Sequence, residues 1–420
     1  MPTSAQAPAV PRLTYLRIKN YRALRDVEFR DLTPLTVLIG PNGSGKSTVL
    51  DALDFLAEAV RGNLDEAWEK RNRFAGMRTR GNEGSILFEL VLVDNETELF
   101  YRIEFEEKEM ASKIGVFIKD EKLEELGSRS ILFQLVSKGK EWGFNQEYPG
   151  APFINGYKKG EEEGIASFMS PRHCFLRSVK IQEYPYPVVV KKLGSAILDL
   201  LDSYRLLHLT DDHLKGYSDA GPREKLSPNG DNLPNVLYYL HLQHPEVLAR
   251  IADKLRAWVP GLADVIPEIT SDERLLLRFK DAPFEKPLPA QYMSGGTMRL
   301  AALLTLLYEP NATGLLGMEE PENELHPQLL GRLAEELIKA TETRQLLVAT
   351  HSPAILNALE PAQVWILHRG ADGYTQATRV ADLPGIPEMV EEGSPLGYLW
   401  TRNFFEIGNP LDAPAAPSSH

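Results

Sequence analysis

The sequence predicts an α/β protein built on a mixed, mainly parallel sheet that an α+β insertion divides in two. Three observations carry this. A short apolar run, Leu35-Thr-Val-Leu-Ile39, enters the glycine-rich string Gly40-Pro-Asn-Gly-Ser-Gly-Lys-Ser47, and a helical pattern starts at Thr48. From residue 290 to 405 apolar strands alternate with helices, the pattern of a parallel sheet covered on both faces. The residues that complete a nucleotide site with the glycine string lie far along the chain, so the region between is inserted. The expected units are an N-terminal lobe at 12–110, an inserted α+β and helical region at 111–289, and a C-terminal lobe at 290–405.

Each element has its own signal. Residues 12–30 read as paired strands, with Leu13, Tyr15, Leu16 and Ile18 followed by Val27 and Phe29. After the strand at 35–39, Val49, Leu53, Leu56 and Val60 recur at helical spacing. Residues 86–93 and 99–105 alternate as half-exposed strands do. Residues 110–190 hold short strand-like pieces at 131–136 and 187–190 among glycine-rich turns. Spacing becomes helical at 193–214 and again at 235–258, where Val236, Leu240, Val247, Ile251, Leu255 and Trp258 share one face that reads as core. Then come a strongly apolar helix at 298–308, a strand at 313–318, a helix at 328–339, a strand at 345–349, a short helix at 354–359 and a strand at 364–367. The tails at 1–11 and 409–420, the latter rich in Ala, Pro and Ser, read as disordered.

Composition narrows the class. The chain has 420 residues, 43% apolar and 25% charged, enough for a substantial core. No apolar run is long enough to span a bilayer, and the first residues lack a secretory pattern. Cys174 is the single cysteine, so no internal disulfide forms, as suits a reducing cytoplasm. A net charge of −13 argues against a surface generally attractive to nucleic acid, while leaving room for a local basic stripe.

The glycine string is a complete phosphate loop, and its strand–loop–helix setting is that of a P-loop NTPase. Gly40, Gly43 and Gly45 let the backbone wrap closely. The N–H groups from Asn42 through Gly43, Ser44, Gly45, Lys46, Ser47 and Thr48 then point at phosphate oxygens of ATP. Lys46 reaches the β/γ-phosphates and the Ser47 hydroxyl holds Mg²⁺. The apolar strand before Glu319 and Glu320 brings two carboxylates to the C-terminal edge of the sheet, where ligands bind. Glu319 suits Mg²⁺ through its water shell, and Glu320 the attacking water. The alternative is an acidic helix start, with Glu319, Glu320, Glu322 and Glu324 favouring the positive end of the helix near Pro327. Met293-Ser-Gly-Gly-Thr297 opens a helix as a second anion reader at Ser294, Gly295 and Gly296, or is a turn with an N-cap at Ser294. His351, after a buried strand, suits a γ-phosphate sensor.

In this order, GPNGSGKS, MSGGT, LLGMEEPENELHP and ATHSP resemble the motifs of ABC-type ATPases of the RecF and structural-maintenance-of-chromosomes branch. LRIKNYRALRDVEF and EEPENELHP are most similar to the RecF-like and OLD-like (overcoming-lysogenization-defect) predicted ATPases, as are NGDNLPNVLYYL at 229–240 and GYLW near the C-terminus. The resemblance implies an ABC-ATPase head in which Lys46, Ser47, Glu319, Glu320 and His351 serve the cis nucleotide site. It implies that Ser294, Gly295 and Gly296 close on ATP held by a second subunit of a homodimer, and that Asn20, Tyr21 and Arg22 lie near the nucleobase. Two departures stand out: Glu319 replaces the usual Asp, and the signature is SGGT rather than LSGGQ.

The resemblance implies a switch in DNA repair or anti-phage defence. OLD-type enzymes carry a Toprim nuclease domain after the ATPase. The stretch after ATHSP is too short for one, so a separate nuclease or other effector protein is expected. A transporter subunit is disfavoured by the long separation of Lys46 from Ser294. A regulatory ATPase that uses its insertion to dock a protein is the other reading. The case for DNA rests on Lys70, Arg71, Arg73, Arg78 and Arg80 around Phe74, tracking phosphates. The alternative is a solvated helix end paired with Glu66, Glu69 and Glu83.

Overall fold

The computed structural model describes residues 11–110, 113–128, 130–138, 141–145, 176, 188–219, 221–270, 272–409 and 411. Cys174, the extreme tails and most of 146–187 lie outside these residues. An antiparallel sheet comes first: β1 (Arg12–Tyr21), β2 (Leu24–Phe29), β4 (Ile86–Asp94), β5 (Thr97–Met110), β6 (Lys113–Glu125), β7 (Ser130–Lys138) and β8 (Glu141–Asn145), ordered β2-β1-β4-β5-β6-β7-β8.

The second sheet carries the site. Its order is β17-β16-β3-β15-β14-β9, from β3 (Leu35–Ile39), β9 (Arg205–Leu207), β14 (Leu315–Glu319), β15 (Gln345–Ala349), β16 (Val364–Arg369) and β17 (Thr375–Arg379). All neighbouring pairs are parallel except β16 with β17. Every residue of β3 and β15 is buried, as a sheet covered on both faces requires. Successive side chains divide between two cores: Leu38, Leu347, Ala349, Trp365 and Leu367 face one, and Val37, Leu346, Val348, Val364 and Ile366 the other.

Helix α1 (Lys46–Val60) lies in the first core and is buried well beyond the predicted face, with Leu50, Ala52, Phe55, Ala57 and Ala59 also inside. The extra burial comes from the antiparallel sheet: Phe55 meets Phe105 edge to face with centroids 5.2 Å apart, and Tyr21 and Phe88 join the same group. Two short helices follow, α2 (Leu64–Lys70) and α3 (Arg73–Met77).

The region expected to be helical from 193 to 214 differs. Val188–Ser203 is a helix, but β9 follows at once and pairs with β14, before a four-residue helix at Asp211–Leu214. The helical run at 235–258 is broken at His244, giving Leu233–Gln243 and Pro245–Trp258. Pro245 lacks an N–H and disfavours helical backbone at His244, whose φ and ψ are −139° and 58°. A small sheet of β10 (Ser218–Asp219), β11 (Leu262–Ile269), β12 (Arg274–Asp281) and β13 (Leu288–Pro289) packs near these helices. Opposite α1, the helix Gly295–Leu307 is buried from Thr297 onward.

Candidate active site

The phosphate loop joins β3 to α1 at the C-terminal edge of the parallel sheet. Gly40 has φ 141°, and a Cβ there would lie 1.9 Å from the Leu367 carbonyl oxygen, so only glycine fits. Gly45 has φ 107° and faces Thr375, whose hydroxyl donates to the Ser44 carbonyl at 2.8 Å. Arg369 Nε donates to the Gly43 carbonyl at 2.9 Å. Arg369 and Thr375, supports of the loop from β16 and β17, carried no signal in the sequence because strand pairing alone brings them there. Asn42, Gly43 and Ser47 are exposed on the loop, and Thr48 is half-buried.

Lys46 is buried, and its Nζ donates to the carbonyls of Gly40 at 2.9 Å and Pro41 at 3.1 Å. Burial lowers its pKa, while Glu320 and Glu322 oppose the shift. The ammonium thus folds back onto its own loop, at hand for a phosphate.

Glu319 ends β14, and Glu320 begins the turn. Glu320 has φ 43°, a left-handed conformation held by its N–H to the Ala349 carbonyl at 2.8 Å and by Arg299 Nη2 donating to its carbonyl at 2.7 Å. Its carboxylate accepts from Asn323 Nδ2 at 2.7 Å and stands 3.6 Å from His351 Nε2. Burial and then Lys46 depress the His351 pKa, with Glu320 and Glu322 opposing, so the imidazole is neutral at pH 7. Glu322 accepts from the Thr350 hydroxyl and from the His351 N–H, tying this turn to the end of β15. The four glutamates lie at the end of β14 and in the turn between it and the short helical turn Pro327–Leu329, ahead of the helix Leu330–Ala340.

Ser294 is an N-cap, its hydroxyl accepting from the Thr297 N–H at 3.2 Å. Gly295 opens that helix, and Gly296 packs against the turn after β14, where an added Cβ would lie 2.4 Å from the Glu324 carbonyl oxygen. Arg299 continues the link, donating to the carbonyls of Leu209 and Glu320. A cleft of about 650 Å³ runs from Gly40, Pro41 and Asn42 past His351 to Trp400 and Asn403. The C-terminal helix Leu396–Thr401 forms its far wall because Gly397 sits against the Pro353 carbonyl and its N–H donates to Asn357.

Arg22 is not among the residues lining that cleft. It pairs with Asp51 of α1 at 2.9 Å. Asn20 and Tyr21, expected near a nucleobase, are buried: Asn20 bonds the backbone at Ser85 and Thr79, and Tyr21 donates to Asp51 at 2.6 Å. The basic segment is largely neutralised. Arg71 is buried among Asp51, Asp54 and Glu58, Lys70 pairs with Glu58 at 2.8 Å, and Arg73 pairs with Glu69 at 3.0 Å.

A family model described as "AAA domain, putative AbiEii toxin, Type IV TA system" matches residues 35–357, from the strand before the phosphate loop to just past His351. The chain belongs to this family. It is a P-loop ATPase. An OLD nuclease of Thermus scotoductus is 48% identical over 62 residues, a match that covers 15% of this chain and 10% of that protein. An SMC head domain from Thermotoga maritima is 15% identical with a TM-score of 0.44, covering 88% of this chain and 98% of that one. An SMC head domain from Pyrococcus furiosus, bound to the C-terminal domain of ScpA, is also 15% identical, with a TM-score of 0.43 and coverage of 91% and 100%. Among the described residues no helix is long and apolar enough to cross a membrane.

Proposed function

We propose that this ATPase works as a switch in DNA repair or anti-phage defence, hydrolysing Mg-ATP at composite sites of a head-to-head homodimer and acting on a separate effector protein. One observation carries the chemistry: the phosphate loop, Glu320 and His351 meet at one sheet edge, with Lys46 electrostatically linked to Glu320. Lys46 exchanges the Gly40 and Pro41 carbonyls for phosphate oxygens. Glu320, aimed by Asn323, accepts a proton from the attacking water, and neutral His351 donates a hydrogen bond toward the γ-phosphate. The exposed Ser47 hydroxyl and the Glu319 carboxylate are hard oxygen donors that fit Mg²⁺, which neutralises phosphate charge when bound. Ser294, Gly295 and Gly296 read the ATP of the second subunit. The family's description as a putative toxin of a type IV toxin–antitoxin system supports a defence setting, as does the nuclease relative.

Glu320→Gln tests the mechanism. It should bind ATP as the parent does and turn over at least about a hundredfold more slowly, since only the proton acceptor is removed. A parental kcat in that variant sinks the assignment of Glu320.

A regulatory ATPase that docks a protein and touches no nucleic acid is the second reading, favoured by the burial of Arg71 and the pairing of Lys70 and Arg73. Fluorescence anisotropy with a short duplex at low salt separates the two. No ATP-dependent binding there makes the regulatory reading the better one.

A further inference from the structure

We propose that His208 supplies a nitrogen donor to the divalent cation at Glu319, and that the site thereby favours Mn²⁺ over Mg²⁺. This rests on the nucleotide-site reading above.

The juxtaposition comes from the edge strand that sequence spacing does not reveal. β9 runs parallel to β14 with Leu207 opposite Met318, so His208 and Glu319 leave the sheet side by side at the edge that holds the phosphate loop. His208 Nδ1 lies 3.1 Å from Glu319 Oε2. Two donors in adjacent positions around a six-coordinate divalent ion, each about 2.1 Å from it, stand about 3 Å apart. The imidazole is 70% exposed, whereas the carboxylate is 18% exposed.

The backbone that carries this ring is fixed on both sides. The His208 N–H donates to the Pro228 carbonyl at 2.9 Å. The next carbonyl, of Leu209, accepts from Arg299 Nη1 at 2.9 Å, and the same guanidinium holds the Glu320 carbonyl at 2.7 Å. One buried arginine therefore sets the position of His208 relative to the two glutamates. Among the described residues no group of three His, Cys, Asp or Glu side chains could hold an ion alone. The remaining positions fall to the Ser47 hydroxyl, phosphate oxygens and water, so the cation arrives with the nucleotide. Oxygen donors alone suit Mg²⁺. An imidazole in the set moves preference toward a first-row transition ion, and Mn²⁺ is the one that also accepts carboxylate, phosphate and water.

The test is pulsed electron paramagnetic resonance of Mn²⁺ bound with a non-hydrolysable ATP analogue, on the full chain labelled with ¹⁵N-histidine. A ¹⁵N coupling should be present in the parent and absent in His208→Ala. Calorimetric titration with the same analogue should show Mn²⁺ affinity falling on the order of tenfold in His208→Ala, with Mg²⁺ affinity much less changed. Bound Mn²⁺ and nucleotide without ¹⁵N coupling, or a coupling that survives in His208→Ala, overturns the role of His208 and leaves the nucleotide site standing. Failure of the parent to bind the analogue overturns both.

Discussion

Arg71 has three carboxylates around its guanidinium, Asp51, Asp54 and Glu58, and its side chain is 3% exposed. Two of its nitrogens reach α1 at 3.1 Å and 2.7 Å, and a third donates to the Ala67 carbonyl. Asp51 also serves Tyr21 and Arg22, so one ion group joins α1, the loop between α2 and α3, and the end of β1. Burial raises the Asp54 pKa and neighbouring Glu58 adds to it, with Arg71 opposing, which marks the guanidinium as the counter-ion this group needs. Arg71→Ala strands those carboxylates and should cost about 3 kcal/mol of stability by urea unfolding. Arg73→Ala, on the solvated side, should leave the unfolding midpoint unchanged. An Arg71→Ala midpoint equal to the parent's would show the carboxylates to be adequately solvated without it. A duplex-binding experiment therefore has to reverse Arg73, Arg78 and Arg80, because reversing Arg71 would test folding.

Among elements, those legible in the sequence are fixed by local chemistry. β3, the phosphate loop and α1 follow from an apolar run, glycines at positions of positive φ, and helical spacing. β15 is predicted at its observed residues because a strand buried on both faces must be apolar throughout. β9 is three residues long and has no period to detect; it exists because β14 offers a free edge. Glu320 and His351 are candidates that spacing alone suggests, whereas His208, Arg369 and Thr375 come to this sheet edge only through strand register. The helix Gly295–Leu307 belongs between these cases: its N-cap is local, but its seat is not. Gly296 lets it approach the turn after β14, and Arg299 pins it to Glu320. Gly296→Ala should push this helix start away, costing about 1–3 kcal/mol of stability. It should lower kcat while leaving ATP affinity near the parent's, because the phosphate loop is a separate element. Unchanged kcat would mean that helix and turn are not coupled in catalysis.

For the whole molecule, the start of the helix Gly295–Leu307 lies open at the exposed Ser294. The segment leading to it leaves Phe284 64%, Leu288 43% and Tyr292 68% exposed, three large apolar side chains within the residues that precede the N-cap Ser294. A two-fold partner would cover such a segment and place each Ser294 against the other subunit's ATP, an isologous contact. Charge opposes it: at −13 per chain, two subunits repel, and the attraction must come from apolar cover and from phosphates bridging the two sites. Light scattering of Glu320→Gln should therefore find monomer without nucleotide and dimer with ATP. The ATP-dependent dimer should tighten as salt rises from about 0.01 M to about 0.1 M, because the Debye length shrinks from about 30 Å to about 10 Å and screens the repulsion. Ser294→Arg, placed in the Glu320→Gln background, should remove the dimer and leave ATP binding intact, since the cis phosphate loop is untouched. If scattering stays monomeric with ATP at every salt concentration, each chain hydrolyses alone and the signature helix has only its N-cap role. If the dimer forms but weakens steadily with added salt, complementary charges rather than apolar cover and shared phosphates hold it together.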